Sequence, residues 1–324
     1  MPPRAGVDLG GTKIQTVVMD GRGKVLGQSR VPTPGEGPDS IVIAITQALG
    51  AAADEANLAT DSLIGVGVGA PGGIDPEKGM LINPPNLPGF NGEFPLGPEL
   101  EQRLGTRVEL GNDVSVATEA EFRLGAGKSY DSILGVFWGT GVGGGLILNG
   151  RQWVGRGSAG EIGHVVVKQG GDRCPCGRRG CMEAYAGRGA MEAKARHRQK
   201  KGEKTRLFEI MEKKGRARLT SSIWARALAH EDKMAIDLID QAIEALGAGV
   251  ASCVNVLDPE AVIIGGGLGI RLGEPYAERI AKAMQPHLFV DDHPPEIKVA
   301  TLGDLGGAMG AALLIKTNGR ADPT

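Results

Sequence analysis

The chain has 324 residues, a formal net charge of -2, 41% hydrophobic residues and 53 glycines, with aromatics at only 4%. That length exceeds one ordinary core and implies two domains, while near-neutral charge and few aromatic rings argue against a nucleic-acid-binding surface. No apolar run is long enough to cross a bilayer and no leader-like segment precedes the first strand, so the sequence reads as a cytoplasmic protein rich in tight turns.

The first motif is Val7-Asp8-Leu9-Gly10-Gly11-Thr12-Lys13, followed by an apolar strand over 14–19 and an Asp20-Gly21 pair. Gly10 and Gly11 would bring backbone N–H groups close to an anion, with a hydroxyl from Thr12 and a positive charge from Lys13. The spacing is not that of a Walker loop, and alone it serves equally well as a plain hairpin turn. Residues 40–56 show helical apolar spacing, and 62–70 is an apolar strand ending at Pro71-Gly72-Gly73, the strand-helix-strand rhythm of an α/β sheet. Residues 83–92 form a Pro- and Gly-rich loop on which Asn86 either presents its amide to a polar ligand or makes a turn. A strand over 107–110 runs into Gly111-Asn112-Asp113 and a helix over 114–124, closed by Gly125. Asp113 thus stands where a strand ends and a helix begins, a place for an N-cap or for a functional carboxylate.

The stretch from Val136 to Arg151 repeats the first motif at a constant offset. Gly139 matches Gly10, with Thr140 and Gly141 following; 146–148 match 17–19; and Asn149-Gly150-Arg151 matches Asp20-Gly21-Arg22. Each copy joins a Gly-rich turn to an apolar strand and an Asp-Gly or Asn-Gly pair of the kind that favours a type I′ hairpin. Internal duplication is the economical reading. Two related halves would face each other across a cleft and grip successive phosphates of one ligand.

Between Glu161 and Glu183 lie His164, Cys174, Cys176 and Cys181, three of the chain's four cysteines, with Gly177 and Gly180 to allow tight turns. One imidazole nitrogen and three thiolates close a tetrahedral Zn²⁺ shell with no open position, so the metal would be structural and would fix Glu161, His164 and Glu183 relative to each other. Incidental thiols are the alternative, and the turn-forming Pro175, Gly177 and Gly180 favour metal. Cys253 falls in an apolar helical pattern and reads as a small buried residue. Residues 188–218 are rich in Lys and Arg and read as a solvated helical face or an excursion, with a polyanion patch as the less favoured alternative. A long helix over 233–257 precedes a strand over 259–264 that runs into Gly265-Gly266-Gly267, where a flat ring such as adenine could lie close to the backbone. An Ala- and Gly-rich helix over 303–315 ends the pattern.

Together these residues resemble the ROK family of sugar kinases and sugar-responsive repressors, most closely its bacterial glucokinase branch. The motifs that carry the resemblance are 8–13, Pro71-Gly72, 85–89, Asn112-Asp113, 139–145, Glu161-Ile162-Gly163-His164, the Cys-x-Cys-Gly-x-x-Gly-Cys-x-Glu run of 174–183, and 265–267. The resemblance implies an α/β, actin-like ATPase (ribonuclease H-like) fold of two duplicated domains around a cleft. One domain would comprise 1–117 plus 304–324, and the other 118–303 with its zinc loop at 164–181. It implies ATP with Mg²⁺ as donor pair, held by Asp8, Gly10, Gly11, Thr12, Lys13, Gly139, Thr140, Gly141, Gly265, Gly266 and Gly267. By position, Asp113 is the general base for a sugar's 6-hydroxyl, and Asn86, Asn112, Glu161, His164 and Glu183 bind hydroxyls. His164 would serve zinc with one ring nitrogen and sugar with the other. The implied reaction is phosphorylation of glucose, with mannose, N-acetylglucosamine or N-acetylmannosamine as other acceptors and polyphosphate as another donor. A homodimer or a dimer of dimers is expected. A non-catalytic repressor would need a DNA-reading helix-turn-helix, for which the six residues before Val7 leave no room. Two departures stand out: Val114-Ser115-Val116 after Asn112-Asp113, where many relatives carry Ala-Asn or Ala-Asp, and the basic run after Arg188.

Overall fold

The computed structural model describes residues 2–84, 87, 89–90 and 92–316, so Asn86 lies outside the described residues. Contacts divide the chain into two units: Met1–Ser129 with Gly145–Ala159 and Thr301–Thr324, and Tyr130–Gly144 with Gly160–Ala300.

The first unit is built on a sheet of order β3-β2-β1-β4-β8. Strands β1 (Arg4–Leu9), β2 (Lys13–Met19) and β3 (Val25–Pro32) form an antiparallel meander. Helix α1 (Pro38–Glu55) then returns the chain to β4 (Val66–Ala70), which pairs in parallel with β1. The strand expected over 62–70 starts late because Thr60–Ser62 closes into a 3₁₀ turn. A small sheet of β5 (Gly73–Asp75), β6 (Met80–Ile82) and β7 (Glu93–Phe94) follows. Helix α2 (Leu96–Leu104) leads to β8 (Val108–Asn112), parallel to β4, and β8 runs directly into α3 (Asp113–Leu124).

Both faces of this sheet are buried, and the residues on each face differ in size. Val7, Leu9, Ile14, Val18, Val66 and Val68 pack with Ile41, Val42, Ile45 and Leu49 of α1. On the other face Val17 and Met19 meet Ala308, Met309 and Ala312 of the last helix, α11 (Gly306–Leu313). Successive strand residues point to opposite faces, so the Val-Gly-Val-Gly-Ala of β4 puts valines toward α1 and glycines toward α11. A Cβ on Gly67 would overlap the Ala311 carbonyl, and one on Gly310 would overlap the carbonyl of Val116 in α3. The Ala- and Gly-rich composition of the last helix is thus what backbone-to-backbone contact with β4 and α3 requires.

After α3 the chain enters the second unit with β9 (Ile133–Trp138). Strand β10 (Val142–Leu148) begins there, counts with the first unit from Gly145, and forms a hairpin with β11 (Arg151–Gln152). Asn149 and Gly150 both have positive φ, 51° and 72°, as the type I′ pattern requires. Its expected counterpart at Asp20-Gly21 differs. There the positive φ falls on Gly23, Asp20 accepts hydrogen bonds from the amides of Arg22 and Lys24, and the ladder shifts register between Val18 and Met19.

In the second unit β12 (Ala261–Gly265) lies parallel to both β9 and β13 (Glu296–Val299). Its helices are α4 (Glu183–Ala186), α5 (Arg188–Lys200), α6 (Leu207–Lys213), α7 (Ser221–Ala229), α8 (Lys233–Leu257), α9 (Gly266–Leu272) and α10 (Glu274–Met284). The basic run is therefore largely helical, and part of its charge is matched at short range. Lys194 pairs with Asp172, Arg196 and Arg218 with the buried Glu192, and Arg198 with Glu203 and Asp237. Back in the first unit, the buried Glu121 accepts from the amides of Ala126, Thr301 and Leu302, which fixes the chain at both ends of its excursion.

Candidate active site

Asp8 is the penultimate residue of β1, and the turn after the strand is pinned on both sides. Gly10 N–H donates to the Lys13 carbonyl at 3.0 Å, the Thr33 hydroxyl donates to the Gly10 carbonyl at 2.5 Å, and Thr33 N–H donates to the Thr12 carbonyl at 3.3 Å. Lys13 Nζ lies 3.4 Å from Asp304, which also pairs with Arg30 at 3.4 Å. Desolvation, with the negative charge of Asp113 second, raises the Asp8 pKa to about 6, against the lowering effect of Lys13. The two carboxylates therefore share one electrostatic neighbourhood, with a lysine beside them.

The junction of β8 and α3 separates two roles that adjacent residues could each have filled. Asn112 is the N-cap: its Oδ1 accepts from Val114 N–H and Ser115 N–H, both at 3.1 Å. Asp113 is the first helical residue and touches Val114 N–H at 2.9 Å. Capping of α3 thus rests on Asn112, and it occupies the oxygen of that side chain, leaving the amide nitrogen as its donor toward a ligand.

In the second unit the four metal-type residues converge as the spacing predicts. One ligand atom each from His164, Cys174, Cys176 and Cys181 lies within 4.8 Å of the others. His164 Nδ1 is 3.8 Å from Cys174 Sγ, and Cys176 Sγ is 3.8 Å from Cys181 Sγ. A tetrahedral zinc with Zn–S of about 2.3 Å needs sulfurs about 3.8 Å apart, so these residues fit the ion. The knuckle is made by Cys174 N–H to the Arg178 carbonyl at 2.8 Å and Gly177 N–H to the Cys174 carbonyl at 2.9 Å, with positive φ at Gly177 and Gly180. Burial pushes the Cys174 and Cys181 thiols up, while the Arg178 amide lowers Cys176. Metal binding there would release protons. Because Nδ1 faces the thiols, Nε2 is the nitrogen left outward, 3.8 Å from Glu161 Oε2.

Glu183 ties this cluster to the second Gly-rich turn. Its Oε1 lies 3.7 Å from Cys174 Sγ, and its Oε2 accepts from Val142 N–H at 3.0 Å. A Cβ on Gly141 would overlap Oε2, so a larger residue there would have to displace the Glu183 carboxylate. Gly139 N–H donates to the Gly141 carbonyl at 3.0 Å, and the buried Trp138 donates from Nε1 to the Ala186 carbonyl at 2.7 Å, holding the turn against α4. The glycines of 265–267 are neighbours of the same turn, since a Cβ on Gly139 would lie 3.9 Å from Gly267 N and one on Gly266 would collide with the Trp138 backbone. Thr33, Asp304, Arg188 and Ser221 were not singled out from the sequence. Arg188 donates to Thr140 and Ser221 at 2.8 Å each, and nothing in a run of basic residues distinguishes it from its neighbours.

A family model described as the ROK family matches residues 4–318. The chain belongs to the ROK family. Over 317 residues it is 33% identical to the glucokinase of Thermotoga maritima, covering 96% of each chain. It is 34% identical over 326 residues to the N-acetyl-D-glucosamine kinase of Pectobacterium atrosepticum, covering 95% of this chain and 97% of that one. A crystal structure of a ROK family glucokinase from Streptomyces griseus in complex with glucose and AMPPNP matches with TM-score 0.81 and 32% identity, over 96% of this chain and 98% of that chain. The mixed α/β architecture is accordingly the actin-like ATPase fold of ROK sugar kinases. Among the described residues no helix is long and apolar enough to cross a membrane.

Proposed function

We propose that this ROK protein is a glucokinase that transfers the terminal phosphoryl group of ATP to the 6-hydroxyl of glucose. The observation that carries the reading is the Asp8–Asp113 pairing beside Lys13, in which Asn112 has taken over the capping of α3. Phosphoryl transfer asks the protein chiefly to position and to neutralise. The sugar's 6-oxygen attacks the terminal phosphorus while its proton passes to an Asp113 carboxylate oxygen, and the bond from that phosphorus to the bridging oxygen of the departing ADP breaks. Lys13 and the backbone N–H groups of the Gly10–Thr12 and Gly139–Gly141 turns would hold phosphate oxygens. Mg²⁺ arriving with ATP supplies further charge neutralisation, and Asp8 is the residue that would hold it through its water shell.

Asn86, Asn112, Glu161, His164 and Glu183 would bind sugar hydroxyls. Zinc on His164 Nδ1, Cys174, Cys176 and Cys181 would fix the ring so that Nε2 faces the ligand, a reading supported by the 3.8 Å separations within the cluster. A homodimer is part of the proposal. N-acetylglucosamine is the second acceptor to weigh, because the Pectobacterium kinase for it is as similar as the glucokinases. Coupled assays with glucose, mannose, N-acetylglucosamine and N-acetylmannosamine, each with ATP and with polyphosphate, test the reading. A kcat/KM for glucose with ATP below that of any other pair would overturn it.

A further inference from the structure

In the second unit Arg188 is held in a way that the paired arginines of its run are not. Arg196, Arg198 and Arg218 all meet carboxylates, whereas Arg188 makes no ion pair among the described residues. Its guanidinium is held instead by two neutral oxygens: Nη1 donates to Ser221 Oγ and Nη2 to Thr140 Oγ1, each at 2.8 Å. The side chain is half-buried, and burial followed by the positive charge of Arg218 lowers its pKa. A guanidinium taken partly out of water and clamped by hydroxyls, with Arg218 beside it and the nearby Glu192 already bonded to Arg196 and Arg218, has no carboxylate in direct contact.

The place of that charge gives it a ligand. Arg188 N–H donates to the Gly139 carbonyl at 3.1 Å, and Gly189 N–H donates to the Thr140 carbonyl at 2.9 Å, so the start of α5 is fastened to the Gly139–Gly141 turn. A Cβ on Gly267 would lie 3.3 Å from Ser221 Oγ, which brings the third Gly-rich stretch to the same spot. Three glycine positions, two hydroxyls and one guanidinium thus converge, with Arg218 Nη2 only 3.6 Å from where a Gly189 Cβ would be. We propose that Arg188 is a donor-binding residue: its guanidinium contacts the phosphate chain of a nucleoside di- or triphosphate, and Thr140 and Ser221 hold the planar fork in place before the donor arrives. The planar fork suits phosphate oxygens, and the hydroxyl clamps reduce the rotamer freedom lost on binding. The inference rests on the reading of the donor as ATP.

The test measures Kd for ADP and for adenosine in the full-length parent, Arg188→Gln and Arg188→Lys. If Arg188 touches phosphate, Arg188→Gln weakens ADP about 10- to 100-fold, the size of one charge-assisted hydrogen bond, and leaves adenosine within about twofold. Arg188→Lys keeps the charge and loses the fork, so its ADP affinity falls between the two with adenosine again unchanged; it decides the question if the Gln variant does not fold. Unchanged ADP affinity, or an equal loss for ADP and adenosine, would show that Arg188 only braces the turn and would overturn the assignment. The two readings separate cleanly. A parent that binds ADP but phosphorylates no hexose removes the kinase reading and leaves Arg188 to be judged by the ADP-to-adenosine ratio. A parent that binds no ADP removes both.

Discussion

Replacing Asp113 with Asn tests the catalytic assignment against its structural rival at a single atom. Asn112 already caps α3 through two hydrogen bonds of 3.1 Å, and the short Asp113 contact with Val114 N–H at 2.9 Å is one that an amide oxygen can also make. The substitution should therefore change stability by less than about 0.5 kcal/mol. Asn112→Ala removes the cap and should cost about 1 kcal/mol, or about 2–4 °C in melting temperature for a unit of this size. Turnover should show the reverse order of importance for Asp113. An amide can still accept a hydrogen bond from the sugar hydroxyl but cannot take its proton, so Asp113→Asn should lose about two to four orders of magnitude in kcat with glucose affinity within about tenfold. Removing the Asp113 charge should also let the raised pKa of Asp8 fall. The assays are steady-state turnover and a thermal melt on both variants. Near-parental kcat in Asp113→Asn, or a melt lowered as far as that of Asn112→Ala, would refute the division of roles.

Three further predictions concern the metal cluster, Asp8 and the last helix. Purified protein should carry about one zinc per chain, and chelation or Cys176→Ser should raise the glucose KM about tenfold; active protein without zinc, or an unchanged KM, contradicts the role given to the four ligands. Asp8 moves from an ordinary 3.8 to about 6 in the folded chain, so below 3.8 both states bind its proton, and stability is lost as pH rises from about 4 through 6. Asp8→Asn should relieve this at pH 8 by an amount on the order of 3 kcal/mol and abolish that part of the pH dependence, as followed by melting temperature without ligands; an equal slope in both proteins would count against the burial of a charge there. Gly310→Ala would drive a methyl into the Val116 carbonyl and should lower denaturation stability by about 3 kcal/mol, with an unchanged urea midpoint as the opposing result.

The parts of the fold that could be read from the sequence are those where one physical constraint dominates. Helices α1, α3 and α8 show because each buries an apolar stripe, and the Cys-x-Cys-Gly-x-x-Gly-Cys run shows because few functions other than metal binding demand such spacing. Strands β3, β5, β6, β7 and β13 did not show, being short or facing solvent along part of their length, so their alternation is weak. The Asp20-Gly21 pair resembled Asn149-Gly150 in composition, but the side chain of Asp20 binds the loop amides and moves the left-handed residue to Gly23. At the site, adjacency hid the division of labour: Asn112 and Asp113 both cap helices well, and only the hydrogen bonds tell which one does. Arg188 was hidden by number, since a basic run gives no sign of which member is clamped by hydroxyls until Thr140 and Ser221 are seen beside it.

Glu183 shows why loss of the proposed metal should reach beyond the proposed sugar ligands flanking it. The residue follows Cys181 by two positions, so whatever fixes that thiolate also fixes the start of α4. Its two oxygens then point in different chemical directions, one 3.7 Å from Cys174 Sγ and the other 3.0 Å from the amide of Val142, where the Gly139–Gly141 turn passes into β10. Val142 is only 5% exposed, and an amide left without its acceptor in such surroundings costs about 1–3 kcal/mol. The carboxylate therefore cannot follow a relaxing Cys181 backbone without stranding that amide. A sequence reading alone places the consequence of metal loss on Glu161, His164 and Glu183 as sugar ligands. With the bond to Val142 in view, the same loss loosens the turn assigned to the donor's phosphates, so the affinities for sugar and for nucleotide should weaken together.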